Sequence, residues 1–327
     1  MSKILGLGNA LVDLIFQIDN DKILNEFSLP KGSMTLVDSE KAKNILDATR
    51  HFKYDIAAGG SASNTIDGLA NLGIHCGYIG KIGNDQHGTL FHKELLSNHI
   101  NPRLFIGRNP TGTAITLLSK DAERTFATYL GAAIELEADD LKPEYFAGYS
   151  IFHIEGYLVQ NHKLILKAVE LAKQMGLMIS IDMASFNIVE ANRDFLSEII
   201  KKYVDIVFAN EEEARSFTTE GPEKAVNDIS KYCKIAIVKI GKDGSLIQEG
   251  KKLVKVASTN VTVRDTTGAG DLYAAGYLYG YLKGFDLELC GKIGSLLGSE
   301  VIQVYGARIK EKSWREIRSK INHLTIE

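Results

Sequence analysis

Residues 150–240 carry a regular pattern in which short apolar runs take turns with segments whose apolar residues recur at helical spacing. Residues 150–155 read as a buried strand, followed by a helix at 162–175 that Gly176 closes. The same alternation predicts strands at 177–182, 205–209 and 234–240, and helices at 189–203, 211–217 and 222–232. Strands alternating with helices build a parallel sheet through right-handed crossovers. Ligands of such sheets bind beyond the carboxyl ends of the strands. Those ends here carry Glu155, Asp182, Asn210, Glu211 and Lys239.

The first half of the chain is less regular. Residues 3–8 read as a strand ending in glycine, 19–27 and 40–50 as helices, and 32–38 and 77–83 as strands. Residues 113–119 and 124–130 alternate apolar and polar positions around a turn at 120–123, a hairpin signal. Together with 32–38 the hairpin predicts a small antiparallel sheet, a β lid formed by segments near 13–38 and 110–131. Arg124 in that hairpin either reaches a phosphate or substrate or is solvated. No linker, repeat or low-complexity tract divides the chain, so residues 1–327 read as one domain.

The stretch 265–284 organises the rest. Gly268-Ala269-Gly270 precedes Asp271, and residues 272–282 are apolar on almost every side, which predicts a buried helix. Free N–H groups at the start of such a helix form an anion site. A carboxylate beside an anion site either caps the helix or takes the proton of a hydroxyl that attacks a phosphoryl group. A second glycine-rich loop opens a helix within 57–73 but lacks the lysine of a Walker A loop. It reads as gripping a neutral, hydroxyl-rich ligand through the backbone of Gly59 and Gly60 and the amide of Asn64. Gly6-Leu7-Gly8 lacks the third glycine of a dinucleotide fingerprint, which argues against a dehydrogenase. Asn9 and Asp13 then read as polar groups at a strand end. Asn210 and Glu213, three apart, suit either a magnesium ion held through water or a helix capping box. The strand at 237–240 runs into Gly241-Lys242-Asp243-Gly244, which reads either as a turn able to wrap a nucleotide phosphate and ribose or as a simple hairpin turn.

Composition adds exclusions. The 327 residues are 45% hydrophobic and 24% charged with a net charge of −3, so neither nucleic acid nor an anionic membrane is an expected partner. No apolar run is long enough to span a bilayer, and the first residues lack a signal-peptide layout. Cys76, Cys233 and Cys290 have no framework or metal spacing, which fits a reducing cytoplasm.

Gly59-Gly60-Ser61-Ala62-Ser63-Asn64 and Asp265-Thr266-Thr267-Gly268-Ala269-Gly270-Asp271 resemble the two signatures of the ribokinase-like (phosphofructokinase-B type) kinases. Asn210-x-x-Glu213 matches that family's magnesium motif, and the order and spacing of all three agree over nearly the whole chain. The segments GNALVD, KGSMTLVD, TGTAITLLSKDAERT, HIEGYL and FANEEEA are more similar to the bacterial adenosine kinases than to ribokinase or fructokinase. The resemblance implies a three-layer α/β sandwich with a mainly parallel central sheet and the β lid. It also implies an ATP- and Mg²⁺-dependent kinase with Asp271 as general base. The N–H groups of Gly268, Ala269 and Gly270 would hold the γ-phosphoryl, and Asn210 and Glu213 would position magnesium. Asp13, Gly59, Gly60, Asn64 and Glu155 would bind the hydroxyls of the substrate. Lys239, Gly241 and Gly244 would lie along the nucleotide, with Gly306 near the adenine. In some members Asp265 and the region of Gly306 hold a monovalent cation such as K⁺. Lys239 departs from the threonine common at its position, and Ser61 replaces the lysine of ribokinase proper, which argues against ribose.

The expected reaction is phosphorylation of the 5′-hydroxyl of a ribofuranoside, adenosine first. Phe16, Met34, Leu36 and Phe126 on the lid would favour a nucleoside. A kinase for ribose, fructose or a related sugar is the alternative within the class, and a non-catalytic nucleoside or sugar sensor the alternative outside it. Nothing in the sequence chooses between a monomer and a homodimer.

Overall fold

The computed structural model describes residues 3–326 apart from Ala122, Ala184 and Thr219. Ala122, in the turn expected at 120–123, therefore lies outside the described residues. The strands are β1 (Lys3–Leu7), β2 (Leu11–Gln17), β3 (Met34–Leu36), β4 (Tyr54–Gly59), β5 (His75–Ile82), β6 (Asn101–Ile106) and β7 (Thr111–Leu118). They continue as β8 (Arg124–Gly131), β9 (Ile151–Glu155), β10 (Met178–Asp182), β11 (Ile206–Asn210), β12 (Ile235–Lys239), β13 (Ser245–Glu249) and β14 (Lys252–Val256).

A nine-stranded sheet runs in the order β14-β13-β12-β11-β10-β9-β1-β5-β6. From β12 to β6 every neighbouring pair is parallel, and only β13 and β14 join antiparallel. Side chains alternate between faces along each strand, so each face buries its own apolar cluster. Ile4 faces the helices Ser61–Asn71, Ala269–Leu282 and Leu287–Val301, while Leu5 and Leu7 face His162–Gln174 and Arg193–Tyr203. The result is the α/β sandwich of three layers. Among the described residues, no helix is long and apolar enough to cross a membrane.

The second sheet runs β3-β8-β7-β2-β4. It is mixed rather than antiparallel as expected. β7 pairs antiparallel with β8 and β2 with β4, but β2 runs parallel to β7 and β3 parallel to β8. The hairpin signal identifies only strands joined by a short turn, and β2 and β4 reach the sheet through long connections. Asp13, read as a group at a strand end, lies inside β2. Leu14 and Phe16 on the other side of β2 pack with Ala42 and Ile45 into the core. The single helix expected at 189–203 is two, Phe186–Ala191 and Arg193–Tyr203, divided at Asn192.

Helix Ala269–Leu282 is buried almost throughout because it has no room to be otherwise. A β-carbon at Gly276 would lie 2.5 Å from the Ile293 carbonyl oxygen, and one at Gly294 would lie 2.9 Å from that of Tyr273. The two longest helices therefore meet backbone to backbone, which holds the N-terminus of the first one firmly in place.

Candidate active site

The carboxyl ends of β9, β10, β11 and β12 and the loop after β1 open into one cleft of about 1280 Å³, which the cleft-side face of the small sheet covers. Asp13, Gly60, Asn64, Glu155, Asn210, Glu213, Lys239, Gly241, Gly244 and Gly268 to Asp271 all line it. Two glycine-rich segments far apart in sequence thus meet across one space.

Asp271 stands in the first turn of its helix. Its Oδ1 accepts a hydrogen bond from Ser61 Oγ at 2.7 Å and its Oδ2 one from Asn64 Nδ2 at 2.9 Å. Burial pushes its pKa up to about 6, against the opposing pull of the Asn64 and Ser61 hydrogen bonds. Asn64 Oδ1 is buried with no hydrogen-bond partner among the described residues. Such a buried acceptor suits a ligand hydroxyl, which can donate its proton to it. Gly268 caps the helix in the left-handed region at φ 76° and leaves the first N–H groups bare of side chains.

Asp13 lies against Gly59, whose β-carbon would overlap its carboxylate. The register pairs Leu11 with Gly59 and Asp13 with Ala57, so the missing side chain is what admits the acid. Burial pushes Asp13 up to about 7, with the Arg308 guanidinium working in the opposite direction. Arg308 is itself anchored to Asp67, the Ala58 carbonyl and Ser63 Oγ.

Several expected roles change. Glu155 does not offer its carboxylate to a ligand. Its Oε1 accepts from the backbone N–H and side-chain amide of Asn9, and its Oε2 from the Ala62 N–H. It ties the loop after β1 to the start of helix Ser61–Asn71 and so positions both. Gly306 does not line the cleft. Its N–H donates to Asp265 Oδ2 at 2.6 Å, and it packs on Ile15 of β2. Val261, Val263, Gly298 and Ile302 line the cleft instead, on segments to which the sequence pattern gave no role. Gly244, at φ 95°, is required by β14, since a β-carbon there would overlap the Val256 carbonyl.

Asn210 and Glu213 form a closed capping box. Asn210 Oδ1 accepts from the Glu213 N–H at 2.8 Å, Glu213 Oε2 accepts from the Asn210 N–H at 2.7 Å, and Asn210 Nδ2 donates to Glu213 Oε1 at 2.7 Å. Among the described residues no three His, Cys, Asp or Glu side chains form a metal-binding set. Each carboxylate oxygen of Glu213 accepts one hydrogen bond and keeps a second lone pair, and the residue lines the cleft. The pair therefore fits magnesium bound through its own water molecules and does not fit direct coordination. Burial, with Asp182 close by, pushes Glu213 up to about 7.

Asp265 does not fit a monovalent cation held by its side chain. Its Oδ2 lies 2.6 Å from Arg124 Nη2 and also takes the Gly306 N–H, while its Oδ1 accepts from the Thr267 N–H. A guanidinium already neutralises that carboxylate. Arg124 is thus neither solvated nor in the cleft lining but bonded across from β8 to the loop before the anion turn.

Ser61 and Asp182 also line the cleft, although the sequence assigned neither a binding or catalytic role. Ser61 had one signal, its place in a glycine-rich signature where the family's lysine can stand. Asp182 had its place at a strand end. Its partner Lys239 is turned toward the anion turn, with Nζ 2.7 Å from Asp182 Oδ2.

The pfkB family carbohydrate kinase model matches residues 34–314. A probable sugar kinase from Rhizobium etli has a similar structure, with 35% identity, coverage of 98% of this chain and 99% of that one, and a TM-score of 0.88. An adenosine kinase from Sinorhizobium meliloti shows 33% identity over 96% and 99% of the two chains, with a TM-score of 0.87. Adenosine kinase 2 of Arabidopsis thaliana is 26% identical over 94% of this chain and 96% of its own length.

Proposed function

The chain belongs to the pfkB family of carbohydrate kinases and is a phosphotransferase with an alcohol group as acceptor, and on that footing we propose that it phosphorylates the 5′-hydroxyl of a purine ribonucleoside, adenosine first, with ATP as donor. The observation that carries this reading is the row of side chains leading away from Asp13. The registers place Asp13 beside Ala114, Ala114 beside Thr128 and Thr128 beside Leu36, in a line across four strands of the small sheet. The row flanking it on one side, Thr116, Phe126 and Met34, has the same orientation. At ~4.8 Å between strands this surface extends about 14 Å beyond the acid. Ala114, Thr128, Phe126, Met34 and Leu36 all line the cleft, faced by Ile134, Leu136 and Leu158. A bare hexose or pentose ends at Asp13 and would leave that apolar slot filled with water. A ribonucleoside places its sugar at Asp13 and its base in the slot, where the buried face of an aromatic ring gains about 25 cal/mol per Å². Phe16, expected in the slot, belongs to the opposite, core-facing side of β2.

The chemistry follows from the residues. The acceptor oxygen forms a bond to the γ-phosphorus as the bond from phosphorus to the leaving oxygen of ADP breaks, and the hydroxyl proton passes to Asp271. Phosphoryl transfer asks mostly for alignment and charge stabilisation. Asp13 and Asn64 align the sugar, and the N–H groups of Gly268 and Gly270 face the phosphoryl oxygens, whereas that of Ala269, expected to join them, is taken by the Thr266 carbonyl at 3.2 Å. The small sheet closes over the substrates and keeps water out. Magnesium, when bound, neutralises charge on the phosphates through water held by Asn210 and Glu213.

A panel of adenosine, inosine, guanosine, cytidine, ribose and fructose, read as ATP consumption, tests the acceptor. Adenosine should give a kcat/KM at least about a hundredfold above ribose and fructose. A sugar that outperforms every nucleoside would overturn the reading, and no turnover on any of them would favour a sensor. For the metal, Glu213→Gln should move the Mg²⁺ dependence of the rate to several-fold higher concentration. The amide keeps only one acceptor oxygen where the carboxylate had two. An unchanged titration would remove the pair from that role.

A further inference from the structure

We propose that Lys239 is a catalytic residue whose ammonium, standing beside the N-terminus of helix Ala269–Leu282, binds the transferring γ-phosphoryl group. The proposal deepens the kinase reading above and rests on it. The first support is position: a β-carbon at Gly270 would lie 2.9 Å from Lys239 Nζ, so the ammonium stands directly over the anion turn. The second is the accounting of its donors. An ammonium has three N–H groups, and Asp182 takes one. No other hydrogen bond joins Lys239 to a described residue, and its side chain, 15% exposed, borders the cleft. Two donors are left for a ligand. The third is charge. Asp182, Glu213 and Asp271 surround this one ammonium. Burial works against its charge, but Asp182 and Glu213 more than offset that, and the amine stays protonated with a pKa above the ordinary lysine value. A phosphoryl group that enters a floor of three carboxylates needs a fixed cation at the point of entry. The other lysine lining the cleft, Lys242, is on the exposed turn after β12.

Asp182 is then a positioning residue. It holds Nζ over Gly270 at the end of a long flexible stem, so that less order has to be imposed when ATP binds. In the transfer the γ-phosphoryl becomes metaphosphate-like, its negative charge spread over three equatorial oxygens. The point charge of Lys239 and the helix N–H groups beside it both meet those oxygens.

The test separates a phosphate contact from a structural one. Lys239→Met should lower kcat about 10²–10³-fold with the acceptor KM within about threefold of wild type. Its affinity for a β,γ-methylene ATP analogue, measured by calorimetry, should fall about tenfold or more, and its affinity for ADP by less than about threefold. If burying Asp182 without its partner unfolds that variant, Lys239→Met/Asp182→Asn removes both charges and carries the same comparison. Equal weakening toward analogue and ADP, or a kcat within threefold in a folded variant, would show Lys239 to be only Asp182's partner. The nucleotide comparison needs no acceptor. A wild type that turns over none of the panel but shows the contrast would sink the nucleoside reading and support Lys239.

Discussion

Asp271→Asn should lower kcat by about two to four orders of magnitude while leaving the enzyme folded and able to bind nucleotide. The substitution changes almost no volume and removes only the ability to accept a proton. It has a local way to keep its hydrogen bonds. Ser61 Oγ and Asn64 Nδ2 both donate to Asp271, and Asn64 Oδ1 has no partner among the described residues. A turned Asn64 amide can offer that oxygen to the new NH₂ group, so little stability is lost. The pH dependence has a definite sign. The active form is the carboxylate, whose pKa burial raises to about 6. The rate of the wild type should therefore climb with pH through about 6 and level off above it. In the variant that limb should vanish, leaving whatever Asp13, near 7, contributes to binding. A variant within a few-fold of wild type, or one with the limb at 6 intact, would remove Asp271 as the base.

Gly268→Ala should cost about 10²–10³ in kcat, the size of effect seen when an oxyanion-type donor is lost. Two independent strains meet there. The residue has φ 76°, which costs an L-residue with a β-carbon about 1–2 kcal/mol. The new β-carbon would also lie 2.7 Å from Ala307 Cβ and 2.8 Å from its Cα. Backbone cannot rotate away as a side-chain end can, so the turn or the loop at Ala307 must shift. Gly306, next in that loop, holds Asp265, and Asp265 opens the same turn. The displacement therefore reaches the N–H groups aimed at the phosphoryl. Gly284→Ala is the control. It has nearly the same φ, 78°, but open space around it. It should lose only the backbone share of the stability, about 1–2 kcal/mol, in a denaturant titration and keep full activity. If Gly268→Ala also kept full activity, the anion turn would not hold the phosphoryl.

Some of this was legible before any coordinates. Parallel strands buried on both faces are continuous apolar runs, and IFHIE, IVFAN and IAIVK were found within a residue or two of β9, β11 and β12. A glycine-rich start to an all-round apolar helix could mean only a buried helix N-terminus, and Gly268 caps it. The small sheet was half legible. β7 and β8 announce each other through a short turn, whereas β2 and β4 are brought in by residues that are distant in sequence. Helix Leu287–Val301 was not seen at all. It meets its neighbour through Gly294 and Gly298, and a contact made by absent side chains leaves no signal of its own in the sequence.

The sequence by itself determined the parallel sheet, the anion turn and the acid beside it, because these depend on local periodicity and on residue types within a few positions of one another. The tertiary structure alone decided how the polar groups are spent. Glu155 is consumed by Asn9 and Ala62 and Asp265 by Arg124 and Gly306, while Glu213, capped by Asn210, keeps one lone pair on each oxygen. Asp271 is held by Ser61 and Asn64 from a segment some 200 residues away, and Lys239 is turned by Asp182 onto Gly270. A carboxylate in the sequence is only a potential acceptor. Whether it serves a ligand depends on which donors the fold brings within about 3 Å, and that is a property of packing between distant segments.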